Sequence, residues 1–302
     1  MSGSSIHIAV TGISGRLGRA IATEVIRAND LSLVGGMVSS DSPNLGADLG
    51  EMCAAGFMGI DAVVSLEQAA DQADVLIDAS LPKVTSAIAP RLASMGHRAL
   101  VTGVTGLDDE QQAALHQAAE VIPVLQASNF SLGVALVERL LAQAAKALTA
   151  EHFDIEIIEA HHKRKADAPS GTALSLGETA ANARGVALED VAQFNRPRHD
   201  GHRPMGAIGF SAIRGGGVVG EHEARFLSAF EEVSISHKAY DRFIFAQGAL
   251  EAARWIKGKA PGLYSMQDVR GVGQRLSVWL VSVALYASGP ADHRAFGSGR
   301  AV

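Results

Sequence analysis

The chain has 302 residues, of which 47% are hydrophobic and 19% charged, so it can fill one large globular core or two smaller ones. Its formal net charge is −6 and it contains no long basic run, which gives nucleic-acid binding no electrostatic support. The single cysteine, Cys53, rules out an internal disulfide, and residues 1–5 lack a signal-peptide pattern, so we expect a cytoplasmic protein with no membrane partner.

A glycine-rich turn follows the first predicted strand, which covers residues 6–10. Gly12, Gly15 and Gly18 have the spacing GxxGxxG and precede a helical pattern of apolar residues. Close packing of a helix on a strand can also require such glycines. The order strand, turn and helix is nevertheless typical of a dinucleotide site, in which the backbone approaches a pyrophosphate.

Strands and helices then alternate along the first 130 residues. The predicted strands cover residues 31–37, 75–78, 99–101 and 121–125, and the predicted helices cover residues 65–73, 84–95 and 110–119. Repeated βα units predict an α/β fold, namely a Rossmann-type doubly wound parallel sheet with its ligand at the carboxyl ends of the strands. Small and polar residues follow three of these ends, at 78–82, 102–106 and 126–130, which suits a cofactor edge but also ordinary turns.

The choice of cofactor depends on the residues after the second strand, where a carboxylate would bind a ribose 2′-hydroxyl and repel a 2′-phosphate. Here Ser39 and Ser40 occupy these positions, and Asp41 is the first carboxylate. Arg16, in the glycine turn, could reach a 2′-phosphate. The sequence therefore favours NADPH over NADH.

The second half changes to an α+β pattern. A helix is predicted over 131–149, strands over 153–158, 207–214, 222–227 and 233–237, and a surface loop over 182–204. A helix at 248–255 should return to the first domain. We expect a dinucleotide-binding domain of residues 1–130 plus about 240–275, a substrate-binding and tetramerisation domain of residues 131–239, and an extension at 276–302. Residues 276–287 are apolar but too few to span a bilayer, which needs about 20.

Residues 159–174 combine more candidate chemistry than any other stretch. Two adjacent histidines, His161 and His162, are followed by three cations at 163–165. Ser170 stands at the N-cap position of a predicted helix, after a proline. The free N–H groups of Gly171 and Thr172 would then face outward at the positive end of the helix, which predicts a site for a carboxylate or phosphate.

With these motifs the sequence resembles the 4-hydroxy-tetrahydrodipicolinate reductase (dihydrodipicolinate reductase) family of bacterial lysine and diaminopimelate synthesis. Residues 159–173 match its signature Glu-x-His-His-x-x-Lys-x-Asp-Ala-Pro-Ser-Gly-Thr-Ala throughout. The resemblance covers residues 6–271 and includes the glycine turn, Asn129-Phe-Ser131 and Val219-Gly-Glu-His222.

The resemblance implies reduction of a cyclic, unsaturated dicarboxylate to tetrahydrodipicolinate by NAD(P)H, in a homotetramer. It implies His161 as the general acid/base, Lys165 as a proton donor, and substrate contacts from His162, Ser170, Gly171, Thr172 and Arg242. The implied cofactor contacts are Gly12, Ile13, Ser14, Gly15, Arg16, Leu17, Gly103, Val104, Thr105, Ala127, Ser128, Asn129 and Phe130, to which we add Ser39 from the position after the second strand.

Two alternatives stay open. Ala79 and Leu81 differ from the residues usual in the family, which favours a paralogue acting on another cyclic imine or dicarboxylate. A non-catalytic nucleotide-binding sensor is the third interpretation, and intact His161, Lys165 and Ser170 argue against it. The other histidines have no spacing typical of a zinc site, so we predict no metal.

Overall fold

The computed structural model of the chain describes residues 5–96, 98–194, 196 and 201–269. The apolar segment at 276–287 and the proposed extension at 276–302 lie outside the described residues. Within the described ranges, no helix has both the length and the hydropathy that are needed to cross a membrane.

The first half folds around a seven-stranded parallel sheet. Its elements are β1 (Ile6–Thr11), α1 (Arg16–Arg27), β2 (Leu31–Met37), α2 (Leu49–Met52), β3 (Ala62–Val63), α3 (Leu66–Ala70), β4 (Val75–Asp78), α4 (Pro82–Ser94), β5 (Ala99–Thr102), α5 (Asp109–Ala119) and β6 (Pro123–Gln126). The seventh strand is β12 (Gly262–Tyr264), and the order is β12-β6-β5-β4-β1-β2-β3. This confirms the predicted Rossmann-type fold.

Apolar strands explain the layering of this sheet. β4 and β5 are buried at every residue because helices cover both faces, and two apolar clusters fill the space on either side. The sequence pattern missed β3 and β12, whose two and three residues are too few to show a period. The predicted helix at 65–73 is also too long, since α3 ends at Ala70.

The second half forms a five-stranded mixed sheet covered by helices. Its elements are α6 (Leu132–Ala147), β7 (Asp154–His161), α7 (Gly171–Ala183), α8 (Leu188–Val191), β8 (Ala192–Gln193), β9 (Ile208–Arg214), β10 (Gly220–Leu227) and β11 (Glu232–Ala239). The strand order is β11-β10-β7-β9-β8, with β10 antiparallel to both its neighbours. The predicted α+β domain is confirmed as a fold class. The prediction of a plain loop over 182–204 was wrong, because α8 and β8 lie inside it.

Phe130 marks the junction between the two sheets. Its side chain is only 3% exposed. It packs against Gly103, where an added Cβ would lie 2.4 Å from its ring, and its carbonyl oxygen would lie 1.7 Å from a Cβ at Gly248. Gly248 belongs to α9 (Phe243–Ile256), which returns from the second sheet and packs against α1. The junction is therefore close-packed, and the carboxyl edge of the first sheet lies beside it. The exact domain boundaries stay a prediction.

Candidate active site

The glycine turn after β1 is built for close approach of a ligand. Gly12 has φ of +73°, and a Cβ there would lie 2.6 Å from the carbonyl oxygen of Ala79. A Cβ at Gly18 would lie 2.2 Å from the carbonyl oxygen of Gly12, so only glycine lets α1 pack on the turn. No side chain caps α1 at Gly15, which leaves the positive end of this helix available to an anion.

Half of the predicted cofactor residues line two cavities. Ser14, Gly15 and Arg16 line one of 460 Å³ at the start of α1. A second, of 560 Å³, lies at the carboxyl ends of β5 and β6. Its lining includes the predicted residues Val104, Thr105, Ala127 and Ser128, together with Tyr264, Ser265 and Asp268, which the sequence reasoning missed.

Several predicted cofactor residues offer backbone rather than side chain to this edge. The side chains of Ile13, Val104, Ala127 and Phe130 are buried in the core. Leu17 is half-buried, and Ser39 is exposed after β2. This division could not be predicted from the residue pattern, since buried and exposed positions alternate irregularly in turns.

A buried carboxylate holds the cofactor edge together. Asp78, at the end of β4, accepts hydrogen bonds from the backbone and hydroxyl of Ser80 and from the hydroxyls of Thr85 and Thr102. Burial raises the pKa of Asp78 although all four bonds favour the ionised form. One carboxylate thus ties the loop after β4 to the end of β5.

His161 lies at the end of β7, in the strand rather than after it. The predicted strand at 153–158 was three residues short. Because strand residues two apart share a face, His161 lies on the same side as Glu159, which is 1% exposed. The Nδ1–H of His161 donates to Oε2 of Glu159 at 2.6 Å. Arg214 of β9 donates to both oxygens of the same carboxylate, at 2.6 and 2.7 Å.

Ser170 begins α7 as predicted. Its hydroxyl accepts the backbone N–H of Ala173 at 3.2 Å, and Gly171 is the first helical residue. The same hydroxyl lies 2.9 Å from Nε2 of His222, and the Ser170 N–H donates to Glu159 at 3.0 Å. His222 belongs to β10, directly opposite Glu159. The start of the helix is therefore fixed by two buried side chains of the sheet.

The second histidine meets the predicted arginine. An Nη2 hydrogen of Arg242, at the N-cap of α9, donates to Nε2 of His162 at 3.0 Å. His162 must therefore offer a lone pair and be neutral. Burial, with the charges of Arg242 and Arg164, lowers the pKa of His162 in agreement with this. Two of the predicted substrate contacts, 80 residues apart, thus lie together.

Lys165 and Asn129 are two further predicted site residues that make side-chain contacts. The ammonium of Lys165 pairs with Asp167 at 2.8 Å, and its charge is among those that act on His222. The side-chain amide of Asn129, at the cofactor edge, donates to the hydroxyl of Thr172 at 3.2 Å. The predicted cofactor edge and the predicted substrate turn therefore touch. Sequence reasoning missed Glu159, Arg214 and His222; the two-residue spacing of Glu159 and His161 was the available signal.

Replacing His222 should reduce the sensitivity of stability to acid. Burial, with the neighbouring charge of His161, lowers the pKa of His222 from 6.5 to about 4. As the pH falls, His222 is therefore protonated in the unfolded chain before it is protonated in the folded one. Its contribution to the free energy of unfolding is fully present above pH 6.5 and is lost as the pH falls toward 4. It amounts to up to about 3 kcal/mol. Urea unfolding at pH 7.5 and 4.5 should show a smaller loss for His222→Gln than for the wild type; an equal loss would contradict the assignment.

Family comparisons agree with the geometry over the described domains. Residues 6–130 match the family model described as "Dihydrodipicolinate reductase, N-terminus", and residues 133–269 match the one described as "Dihydrodipicolinate reductase, C-terminus". The chain belongs to the dihydrodipicolinate reductase family. The family predicted from the sequence is therefore confirmed, and with it an oxidoreductase that uses a nicotinamide cofactor.

Relatives in the dihydrodipicolinate reductase family cover nearly the whole matched region. The 4-hydroxy-tetrahydrodipicolinate reductase of Parvibaculum lavamentivorans is 46% identical over 270 residues, which are 89% of this chain and 99% of the relative. The enzyme of the same name from Caulobacter vibrioides is 45% identical over 266 residues, 88% of this chain and 97% of the relative.

Solved structures show the same fold. The dihydrodipicolinate reductase of Paenisporosarcina sp. TG-14, determined with dipicolinate bound, has a TM-score of 0.68 and 23% identity over 86% of this chain and 97% of its own. An amine dehydrogenase from Mycobacterium smegmatis has a TM-score of 0.62 and 15% identity over 90% and 98% of the two chains. Among the described residues of the chain itself, no three His, Cys, Asp or Glu side chains are grouped so that they could hold a metal ion.

Proposed function

We propose that this protein reduces 4-hydroxy-tetrahydrodipicolinate to tetrahydrodipicolinate, with NADPH preferred over NADH and His161 as the proton donor. The observation that carries the proposal is the contact between the two halves of the site. Asn129 of the cofactor edge bonds to Thr172 at the start of α7, and Glu159 and His222 bond to Ser170, the N-cap of the same helix. A ligand on that helix start would lie next to the cofactor edge.

The residue types fit a cyclic dicarboxylate. One substrate carboxylate would accept from the N–H groups of Gly171 and Thr172, at the positive end of α7. The other would meet the guanidinium of Arg242, which is held by its hydrogen bond to Nε2 of His162. The proposed site thus offers one cluster of donors to each of the two carboxylates.

The residues around His161 suit proton donation. The reduction replaces the substrate hydroxyl by hydrogen, with release of water. NADPH, when bound, supplies a hydride to the conjugated imine that remains, which leaves negative charge on the ring. Histidine can supply the balancing proton near neutral pH and be recharged by solvent. In this structure Nδ1–H of His161 is used by Glu159, so Nε2 is the nitrogen that can carry the transferred proton.

The cofactor cradle fits a dinucleotide with a 2′-phosphate. The uncapped start of α1 and the close packing of Gly12 and Gly18 leave room for a pyrophosphate. Arg16 and Arg19 line the adjoining 460 Å³ cavity and have no ion-pair partner within the described part of the chain, whereas Arg27 pairs with Glu24. These observations support NADPH as the preferred donor.

Removing Arg16 should weaken the use of NADPH selectively. A charged hydrogen bond to a phosphate is worth about 1.5–3 kcal/mol, so Arg16→Ala should raise the KM for NADPH about 10-fold or more and leave the KM for NADH nearly unchanged. Arg91→Ala is the control, because Arg91 pairs with Glu67 on the surface. Equal changes in both KM values would contradict the assignment.

A coupled assay tests the reaction itself. The purified protein is given the product of the preceding synthase, and oxidation of NADPH and NADH is followed by absorbance. Turnover of this substrate supports the proposal. Turnover of only another cyclic imine would show a paralogue, and tight nucleotide binding without any turnover would show a sensor; neither alternative has support from the relatives.

We further propose a homotetramer that works in the cytoplasm and has only small-molecule ligands. β11 supports the assembly, because it forms the edge of the second sheet and exposes five of its eight residues. An exposed edge strand is a surface that other chains can cover. Light scattering after size-exclusion chromatography should give four times the mass of 31.4 kDa.

A further inference from the structure

We propose that Glu159 is a positioning residue for the reduction, and that Arg214 sets the charge under which His161 gives up its proton. The inference deepens the proposed function and rests on it. The burial of Glu159 is unusual for a carboxylate. Glu159 lies on the same face of β7 as Ile155 and Ile157, and its side chain is 1% exposed. A carboxylate is seldom buried this completely unless it is paired with a cation and hydrogen-bonded.

Four hydrogen bonds saturate this carboxylate. Oε1 accepts from Nη2 of Arg214 and from the backbone N–H of Ser170, and Oε2 accepts from Nη1 of Arg214 and Nδ1 of His161. Burial acts to raise the pKa of Glu159, but the bonds from Arg214 and His161 outweigh it and hold the pKa below its ordinary value. Since an ionised carboxylate only accepts, His161 must donate from Nδ1.

One side chain therefore fixes both working parts of the site. The bond to Nδ1 sets the ring orientation of His161 and leaves Nε2 as the nitrogen for proton transfer. The bond to the Ser170 N–H anchors the start of α7, where a substrate carboxylate is proposed to bind. The distance between His161 and the start of α7, and hence the distance from the acid to the substrate ring, therefore depends on Glu159.

Arg214 supplies the positive charge that compensates the carboxylate of Glu159. An unpaired carboxylate against Nδ1 would stabilise the imidazolium and hold the proton on His161. The bidentate guanidinium cancels that charge while it leaves the hydrogen bond in place. Burial lowers the pKa of His222 to about 4, so this neighbour adds no charge at neutral pH. The titratable and charged groups packed around His161 are Glu159 of β7, His162 and Lys165 of the segment that follows β7, Arg214 of β9 and His222 of β10.

The test compares Glu159→Gln with Glu159→Gln/Arg214→Met. In the single variant Arg214 is uncompensated beside His161, so the alkaline limb of the kcat profile, where the acid is lost, should move to lower pH by about one unit or more. The double variant has neither charge, and its limb should return toward that of the wild type. Both variants should lose about 10-fold to 10²-fold in kcat with an unchanged Kd for NADPH, because glutamine has a single acceptor oxygen and cannot hold both His161 and the Ser170 N–H.

Glu156→Gln is the matched control. Glu156 lies on the same strand but on its opposite face, where it pairs with Arg203. Its substitution should leave kcat and the pH profile unchanged. Melting curves establish that each variant is folded, and the double variant keeps the test usable if the single one is not, because neutral replacement of both partners avoids an unpaired buried charge.

The outcomes separate the two proposals. If the wild type does not reduce the substrate, the proposed function has failed. If the wild type is active and Glu159→Gln keeps its kcat, Glu159 is not a positioning residue. If kcat falls in both variants while both alkaline limbs coincide with that of the wild type, Glu159 is structural only and the role given to Arg214 is wrong.

Discussion

His161→Gln is expected to lower kcat by about 10²-fold or more while the Kd for NADPH stays within a factor of about two. Glutamine keeps a side-chain amide that can donate to Glu159, as Nδ1 of His161 does at 2.6 Å, so the local structure should persist. It cannot give up a proton near neutral pH, so protonation of the reduced ring would have to come from water. Single-turnover kinetics with NADPH, together with fluorescence titration of the cofactor, separate the two quantities.

The matched control for this substitution is His152→Gln. His152 is exposed between α6 and β7, remote from the site, and its variant should keep full activity. An unchanged kcat in His161→Gln would remove His161 from its proposed role. A parallel loss of NADPH affinity would instead indicate that the substitution disturbs the junction with the cofactor edge.

Gly18→Ala is expected to weaken cofactor binding about 10-fold or more. The added Cβ would lie 2.2 Å from the carbonyl oxygen of Gly12, 2.8 Å from its carbonyl carbon and 2.9 Å from Cα of Ile13. All three are backbone atoms, so either the glycine turn or α1 must move. Overpacking of this kind destabilises by about 1–3 kcal/mol, and displacement of the turn should remove the backbone contacts to a pyrophosphate.

Gly217→Ala gives the reference for this second substitution. Gly217 lies in the turn between β9 and β10, where an added Cβ would meet open space and the backbone is not left-handed. Its variant should have the wild-type Tm and NADPH affinity. If Gly18→Ala binds NADPH as tightly as Gly217→Ala does, the glycine turn after β1 is not the pyrophosphate site.

The local chemistry of single segments could be predicted from the sequence. The apolar runs of β1, β2 and β4 are short and bounded by polar or glycine residues, which led directly to a parallel sheet. Ser170 was predicted as an N-cap, and its hydroxyl does accept the Ala173 N–H. Both features depend on neighbours in the sequence, which is why a pattern could reveal them.

Contacts between distant segments could not be predicted in this way. Glu159 belongs to the family signature, but its role needs Arg214, which is 55 residues away and is brought alongside only by the pairing of β7 with β9. His222 shares a hydrogen bond with Ser170 across 52 residues for the same reason. β3 and β12 are strands because they pair with β2 and β6, and their two and three residues are too few to show a periodicity.

A crystal structure with NADPH and dipicolinate would test the central claim most directly. Dipicolinate has two carboxylates on one ring, and the related reductase from Paenisporosarcina sp. TG-14 binds it. We predict one carboxylate on the N–H groups of Gly171 and Thr172, the other near His162 and Arg242, and the nicotinamide ring stacked between the dicarboxylate and the carboxyl edge of the first sheet. Dipicolinate bound away from the start of α7, or a nicotinamide out of reach of its ring, would contradict the proposed site.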